Sequence, residues 1–332
     1  MRDVRSGSFR FRVAINMLLR FVNFRNCRET NQLRFVSAPF WYHKATYFRT
    51  MIRFATADYS FPLLSWEKSL RLAKDLGMDG IDISLFQGRS QLNPKDVLLH
   101  PAKSGREALS FVQRSGLFIP DVFGIPGSDF VELCPNHPED SIRQASRNYF
   151  QKLVEFAAET STSHLTSVPG MAFDSEDQED SFARAIEELS WRADFCREAG
   201  LIFAVEAHFG SIIADPAQAR RLLQAVPQLT LTLDLGHFIA QGFSQDTANP
   251  LIEYTSHVHA RCASPGRLQA PMRANTIDFH DLVRRLNARE YTGWYAIEYV
   301  WINWEHCNEV DNVSETILLR QAIEDAAGTV AA

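Results

Sequence analysis

From residue 52 onward the chain alternates short apolar runs with amphipathic stretches, eight times over. A short apolar run rich in β-branched residues, ending at a turn, reads as a buried parallel strand. The longer amphipathic stretch that follows each run reads as a helix packed over it. Strands are expected at 52–57, 80–85, 117–123, 164–168, 201–207, 229–235, 257–261 and 293–299. Helices are expected at 65–76, 104–115, 138–159, 179–198, 215–225, 250–256, 279–288 and 314–326. The punctuation agrees. Gly77, Gly116 and Gly200 stand where helices end, and Asp215-Pro216 is an N-cap followed by a first-turn proline.

Eight strand–helix units in roughly 280 residues match the size of a (β/α)8 TIM barrel. A doubly wound sheet is the rival. It would carry a glycine-rich phosphate turn after the first strand, where this chain has Asp58-Tyr-Ser-Phe-Pro. The expected fold is therefore a single α/β barrel domain over 51–328, behind an extension of about 50 residues. That extension is basic and aromatic-rich: residues 1–50 carry a net charge of +8, leaving −14 for the remainder of a chain whose total is −6. Met51 opens the first strand and reads as an alternative start, with a targeting arm or a structural extension as the other readings of 1–50.

An acidic barrel has no phosphate-tracking basic stripe, so nucleic acid is not an expected partner. No apolar run reaches membrane-spanning length. The five cysteines, at 27, 134, 196, 262 and 307, form no C-x-x-C pair. A structural zinc motif and a disulfide framework are both disfavoured, and a cytoplasmic, reducing location is expected.

Four expected strands end in ligand-type residues: Phe203-Ala-Val-Glu206-Ala-His208, Leu229-Thr-Leu-Thr-Leu-Asp234, His257-Val-His259 and Tyr295-Ala-Ile-Glu298. The C-terminal strand ends of a parallel barrel are where its chemistry sits. Strand residues alternate faces, so pointing Glu206, Asp234, His259 and Glu298 inward sends Val205, Tyr295 and Ile297 toward the helices. Without a cation, three carboxylates converging at one mouth would repel each other and raise their pKa values. The donor set is hard and oxygen-rich, which favours a divalent ion: Mn²⁺ first, with Mg²⁺, Co²⁺ and Zn²⁺ as alternatives. His237 is expected in the loop after Asp234. His257 reads as an orienting or packing histidine, and His100, His137, His164, His280 and His306 as surface residues.

With Val205-Glu206-Ala-His208, Leu233-Asp234-Leu-Gly-His237, His257-Val-His259, Ile277-Asp278-Phe279 and Tyr291-Thr-Gly293-Trp-Tyr-Ala-Ile-Glu298 in this order, the chain resembles the xylose isomerase-like TIM barrels. More narrowly it is similar to the sugar phosphate isomerase/epimerase group, which includes ketose 3-epimerases, inosose dehydratases and hydroxypyruvate isomerases. The resemblance implies that Glu206, Asp234, His259 and Glu298 hold one metal. It makes Glu206 and Glu298 the acid and base on either side of a small sugar-derived substrate, and His237 and His208 its contacts. The implied reaction is proton transfer through an enediolate. The resemblance also admits a homo-oligomer, with no interface legible in the residues.

The chain departs from the ketose epimerases at Pro265, where they place an arginine six residues after the metal histidine. Arg261, Arg267 and Gln269 are the expected substitutes for substrate binding, which leaves the sugar open. Trp301 and Trp304 are candidates for stacking on a sugar ring or for an oligomer contact. Two alternatives stay in view: a lyase on the same scaffold, of the inosose dehydratase or 3-keto-glycoside C-deglycosidase type, and a non-catalytic sugar-binding subunit. An AP endonuclease would need histidines after strands two and three, where this chain has Leu85-Phe86 and Phe123-Gly124.

Overall fold

The computed structural model describes residues 52–330; the basic segment 1–50 lies outside the described residues. Eight parallel strands close into a barrel in chain order, β1 pairing with both β2 and β8. They are β1 (Phe54–Ala57), β2 (Gly80–Leu85), β3 (Val122–Gly124), β4 (His164–Ser167), β5 (Ile202–Glu206), β6 (Thr230–Asp234), β7 (Thr255–Ala260) and β8 (Tyr295–Ile297). Every strand is followed by helix, as the sequence rhythm requires.

The hydrophobic core is the layer between strands and helices. Val205, Leu231, Leu233, Val258, Tyr295 and Ile297 all face it and are buried there. Phe150 of the helix Asp140–Ala158 meets Phe203 edge-on at 5.2 Å between ring centres. Gly124 in β3 lies so close to Leu153 of that helix that a Cβ would stand 2.2 Å from its Cδ2. Only glycine admits that approach.

The inner face of the barrel is polar instead. Thr166 and Thr232 share a hydrogen bond of 2.7 Å across it, and Thr56 Oγ1 donates to Ile297 O at 2.8 Å. Burying a polar group is costly unless it is paired, and side-chain hydrogen bonds such as these, rather than packed aliphatics, hold much of this interior. Capping fixes where several helices begin. Asp177, Asp215 and Asp278 each accept from a backbone N–H of the first turn.

The structure corrects four expectations. β3 begins at Val122 rather than 117 because Pro120, with no N–H, interrupts the ladder. The helix expected at 250–256 is instead a short α turn, Gln245–Ala248, running into a 3₁₀ turn, Asn249–Tyr254. Ser244 starts this turn by accepting from Thr247 N, and Pro250 fits its first turn. His237 is not in a loop: Asp234 accepts from Gly236 N at 2.7 Å and caps the helix Leu235–Ala240 that carries it. His164 is buried inside the barrel rather than on the surface, because its ring bonds Asp121.

Candidate active site at the C-terminal mouth of the barrel

Strand register brings the expected residues to one end. Asp234 sits beside His259 in the β6–β7 ladder, and His259 beside Ala296 of β8. Glu206 closes β5, and Glu298 follows β8, its N–H donating to Ala260 O at 2.9 Å. All four residues are at most 5% exposed.

Their donor atoms pack as two triads that share Glu206. One is Glu206, His259 and Glu298; the other is Glu206, Asp234 and His237. In each, the ligand atoms lie within 4.8 Å of one another. His259 Nδ1 is 2.5 Å from Glu206 Oε1 and 3.5 Å from Glu298 Oε2. His237 Nε2 is 3.7 Å from Asp234 Oδ2.

Arg261 is the residue whose placement sequence reasoning missed. It was expected at a substrate, but its guanidinium lies between the two triads. Nε donates to Asp234 Oδ2 at 2.8 Å, and the other end of the fork contacts Glu298. β7 alternation carries the signal, since Arg261 shares a face with His257 and His259.

The electrostatics split the two glutamates. Burial pushes Glu206 up, but His259 at hydrogen-bond distance outweighs it and holds the carboxyl below its usual value. Burial pushes Glu298 well above the usual carboxylate range, with the Arg261 contact acting against it. His259 is buried too, which disfavours its charge, yet Glu206 raises it. His237 is driven well below its ordinary value by burial and stays neutral.

His208 is also neutral, lowered by burial. Its Nδ1 faces Phe209 O at 2.8 Å, and a carbonyl only accepts. Nδ1 therefore carries the proton and Nε2 is an acceptor. Nε2 of His208 and Nδ1 of His237 are both buried without a partner. Each is a group seeking a hydroxyl or other polar ligand.

A narrow cavity opens on these groups, with about 40 Å³ of water-accessible space. Its polar wall is Arg89, Glu206, His208, His237, Arg261 and Glu298. Its apolar wall is Tyr59, Phe86, Phe123, Phe130 and Trp304 among others, with Phe130 stacked on His208 at 4.1 Å. Of the aromatic wall only Trp304 is expected from the sequence, by its place after strand eight; the other rings carry no periodic signal. Two expected substrate residues are not brought here. Arg267 is at the surface, 3.3 Å from Glu309. Gln269 is buried, its amide donating to Val300 O and Cys307 O, so it braces the loop after β8. Trp301 is 44% exposed and lines a different groove, between the loop after β1 and the final helix.

The donor chemistry fits a cation. Buried carboxylates outnumber the single buried arginine at this mouth, and a buried acid and histidine cluster of this kind can hold a metal ion.

An eight-stranded parallel barrel with a buried acid and histidine cluster at its C-terminal mouth defines a class of TIM-barrel proteins built around such a site. Within it, this chain belongs to the xylose isomerase-like TIM barrel family, whose model matches residues 70–322. No curated protein sequence matches the chain. Among solved structures, a D-psicose 3-epimerase in the presence of D-fructose is 14% identical, covering 85% of this chain and 100% of its own, with a TM-score of 0.66. The probable 3-DHS dehydratase AsbF of Bacillus anthracis is 14% identical over 81% of this chain and 99% of its own, at a TM-score of 0.61. A xylose isomerase-like barrel of Mycobacterium smegmatis, in complex with magnesium, is 15% identical over 86% and 100%, at 0.62. These likenesses show the fold. Sugar epimerases are among the proteins that share it.

Among the described residues no helix is long and apolar enough to cross a membrane.

Proposed function

We propose that residues 51–328 form one catalytic domain, a divalent-metal-dependent isomerase or epimerase of sugars or related keto-polyols. The observation that carries this reading is the pair Glu206 and Glu298, which flank His259 Nδ1 at 2.5 and 3.5 Å beside the cavity, in environments that push their acidities apart. Two carboxylates so separated can work as base and acid.

Glu206, Asp234, His259 and Glu298 would hold the ion, Mn²⁺ first among the candidates, with Arg261 giving up Asp234 and Glu298 to it. When bound, such an ion polarises a substrate carbonyl and makes the neighbouring C–H acidic. Glu206, held ionised by His259, takes that proton. Glu298, on the other side of His259 Nδ1, returns a proton to the opposite face for epimerisation or to the adjacent carbon for isomerisation. His208 Nε2 accepts from a substrate hydroxyl, and His237 contacts a second oxygen. Phe130 and Trp304 exclude water from the carbanion-like centre. Cys134, Cys196, Cys262 and Cys307 are free thiols, which supports a reducing, cytoplasmic setting.

A panel of ketoses and 3-keto sugars incubated with the metal-loaded protein in D₂O, followed by NMR, tests the reading. Deuterium at the carbon beside the carbonyl, without elimination, is the expected result. A new enone or a released aglycone would make the protein a lyase, the neighbouring chemistry that the same proton abstraction permits.

A further inference from the structure

We propose that the barrel interior, deeper than the active site, holds a second divalent metal site built by Asp82, Asp121, His257 and His259. Their ligand atoms all lie within 4.8 Å of one another, and every one of the four side chains is at most 2% exposed. The first three take no part in the proton chemistry above. His259 joins both sites, turning Nδ1 to Glu206 and Nε2 toward Asp82, 3.8 Å away; with both ions bound it bridges them as an imidazolate, its ring proton released to solvent.

Two orphaned atoms point to a ligand. Asp82 Oδ2 is 2.8 Å from His257 Nε2, and Asp121 Oδ1 is 2.7 Å from His164 Nδ1. Each acid thus has one oxygen paired. The other oxygens, Asp82 Oδ1 and Asp121 Oδ2, are buried with no partner. Protons on the histidines leave those oxygens unsatisfied, whereas a cation among the four side chains would satisfy them. Two carboxylates and two imidazoles suit Zn²⁺, Co²⁺ or Mn²⁺ over the purely oxygen-seeking Ca²⁺.

The surroundings are arranged as supports for such a site. His164 holds Asp121 in place; Ser256 Oγ meets His164 Nε2 at 2.7 Å, and Thr230 Oγ1 meets Ser256 Oγ at 2.7 Å. Partners of this kind orient the ligands of metal centres. A route also exists. A cavity of about 380 Å³ lies at the N-terminal mouth, and His164, Ser256 and His257 form part of its wall. An ion could enter from this end without passing the active site.

Co²⁺ titration, read by visible absorption and calorimetry, tests the proposal on wild type, Asp121→Asn, His257→Gln and Asp234→Asn. Wild type is expected to bind two equivalents. Asp121→Asn and His257→Gln should each weaken one of them by at least 100-fold with an unchanged circular dichroism spectrum, while Asp234→Asn weakens only the other. A zinc-edge anomalous map of the wild-type crystal should show a peak among Asp82, Asp121, His257 and His259, and it decides the matter if the variants fail to fold. A single equivalent lost in Asp121→Asn but kept in Asp234→Asn leaves the interior site standing and removes the active-site ion. Binding that is identical in wild type, Asp121→Asn and His257→Gln, or an interior without anomalous density at saturating Zn²⁺, overturns the proposal.

Discussion

Arg261 Nε donates to Asp234 Oδ2 at 2.8 Å inside a mouth where both side chains are buried. The same guanidinium contacts Glu298, so one built-in cation ties β6, β7 and the end of β8 together. Removing one partner of a buried charge pair strands the others, at about 3–5 kcal/mol. In EDTA, Arg261→Met is expected to lose that much stability by urea unfolding, and saturating Mn²⁺ should restore most of it. An unchanged midpoint in EDTA would mean that the ion pair does not hold the mouth.

Gly236 controls the same contact. A Cβ there would stand 2.9 Å from Asp234 Oδ1 and 3.1 Å from Arg261 Cγ, against the very oxygen that the Gly236 N–H bonds. Gly236→Ala is therefore expected to cost about 1–3 kcal/mol by overpacking. It should also weaken metal binding by about 10-fold, the lower end of what disturbed ligand support costs. Calorimetric titration beside a melting curve reads both.

Glu298→Gln keeps the shape of the side chain and removes the proton it returns. Turnover should fall by about 10²–10⁴-fold, the worth of a positioned acid or base. The variant should keep the wild-type circular dichroism spectrum but lose about 3–5 kcal/mol in urea unfolding, because Arg261 is left without its Glu298 charge partner. Activity within tenfold of wild type would take Glu298 out of the reaction.

The four described cysteines give a prediction independent of the active site. Burial raises Cys134 and Cys307 to about 11, and Cys196 and Cys262 to about 12. Only the thiolate reacts, and a raised value means that it forms only as pH climbs toward 11. At pH 8 the thiolate fraction is roughly one part in 10³–10⁴. Iodoacetamide should leave all four peptides unmodified at pH 8 in the native protein and label them in denaturing urea, read peptide by peptide by mass spectrometry. Rapid native labelling of Cys196 would show that its helix opens locally.

The barrel was legible because strand and helix periods differ and because each strand's outward face is apolar. Val205, Leu231, Leu233 and Ile297 announce themselves in that way, and the acids at 206, 234 and 298 stand out against them. What stayed hidden has one cause. Inside the barrel, polar residues from strands distant in sequence satisfy each other, and no local pattern reports such a pairing. Asp82 sits in Gly80-Ile-Asp-Ile-Ser-Leu and Asp121 follows a proline, yet their partners are His257 and His164. His164 looked like a surface residue for that reason. Gln269 hides in the same way: it is expected among the substrate-binding residues, while its amide is spent on the backbone of Val300 and Cys307.

The most direct test is a Mn²⁺-soaked crystal measured at the manganese absorption edge. One anomalous peak is expected at the C-terminal mouth, with oxygens of Glu206, Asp234 and Glu298 and Nδ1 of His259 at about 2.0–2.3 Å, and with Arg261 withdrawn from Asp234 and Glu298. A mouth without a peak, or one in which Arg261 still bridges Asp234 and Glu298 at saturating Mn²⁺, would contradict a metal-dependent reaction at these residues.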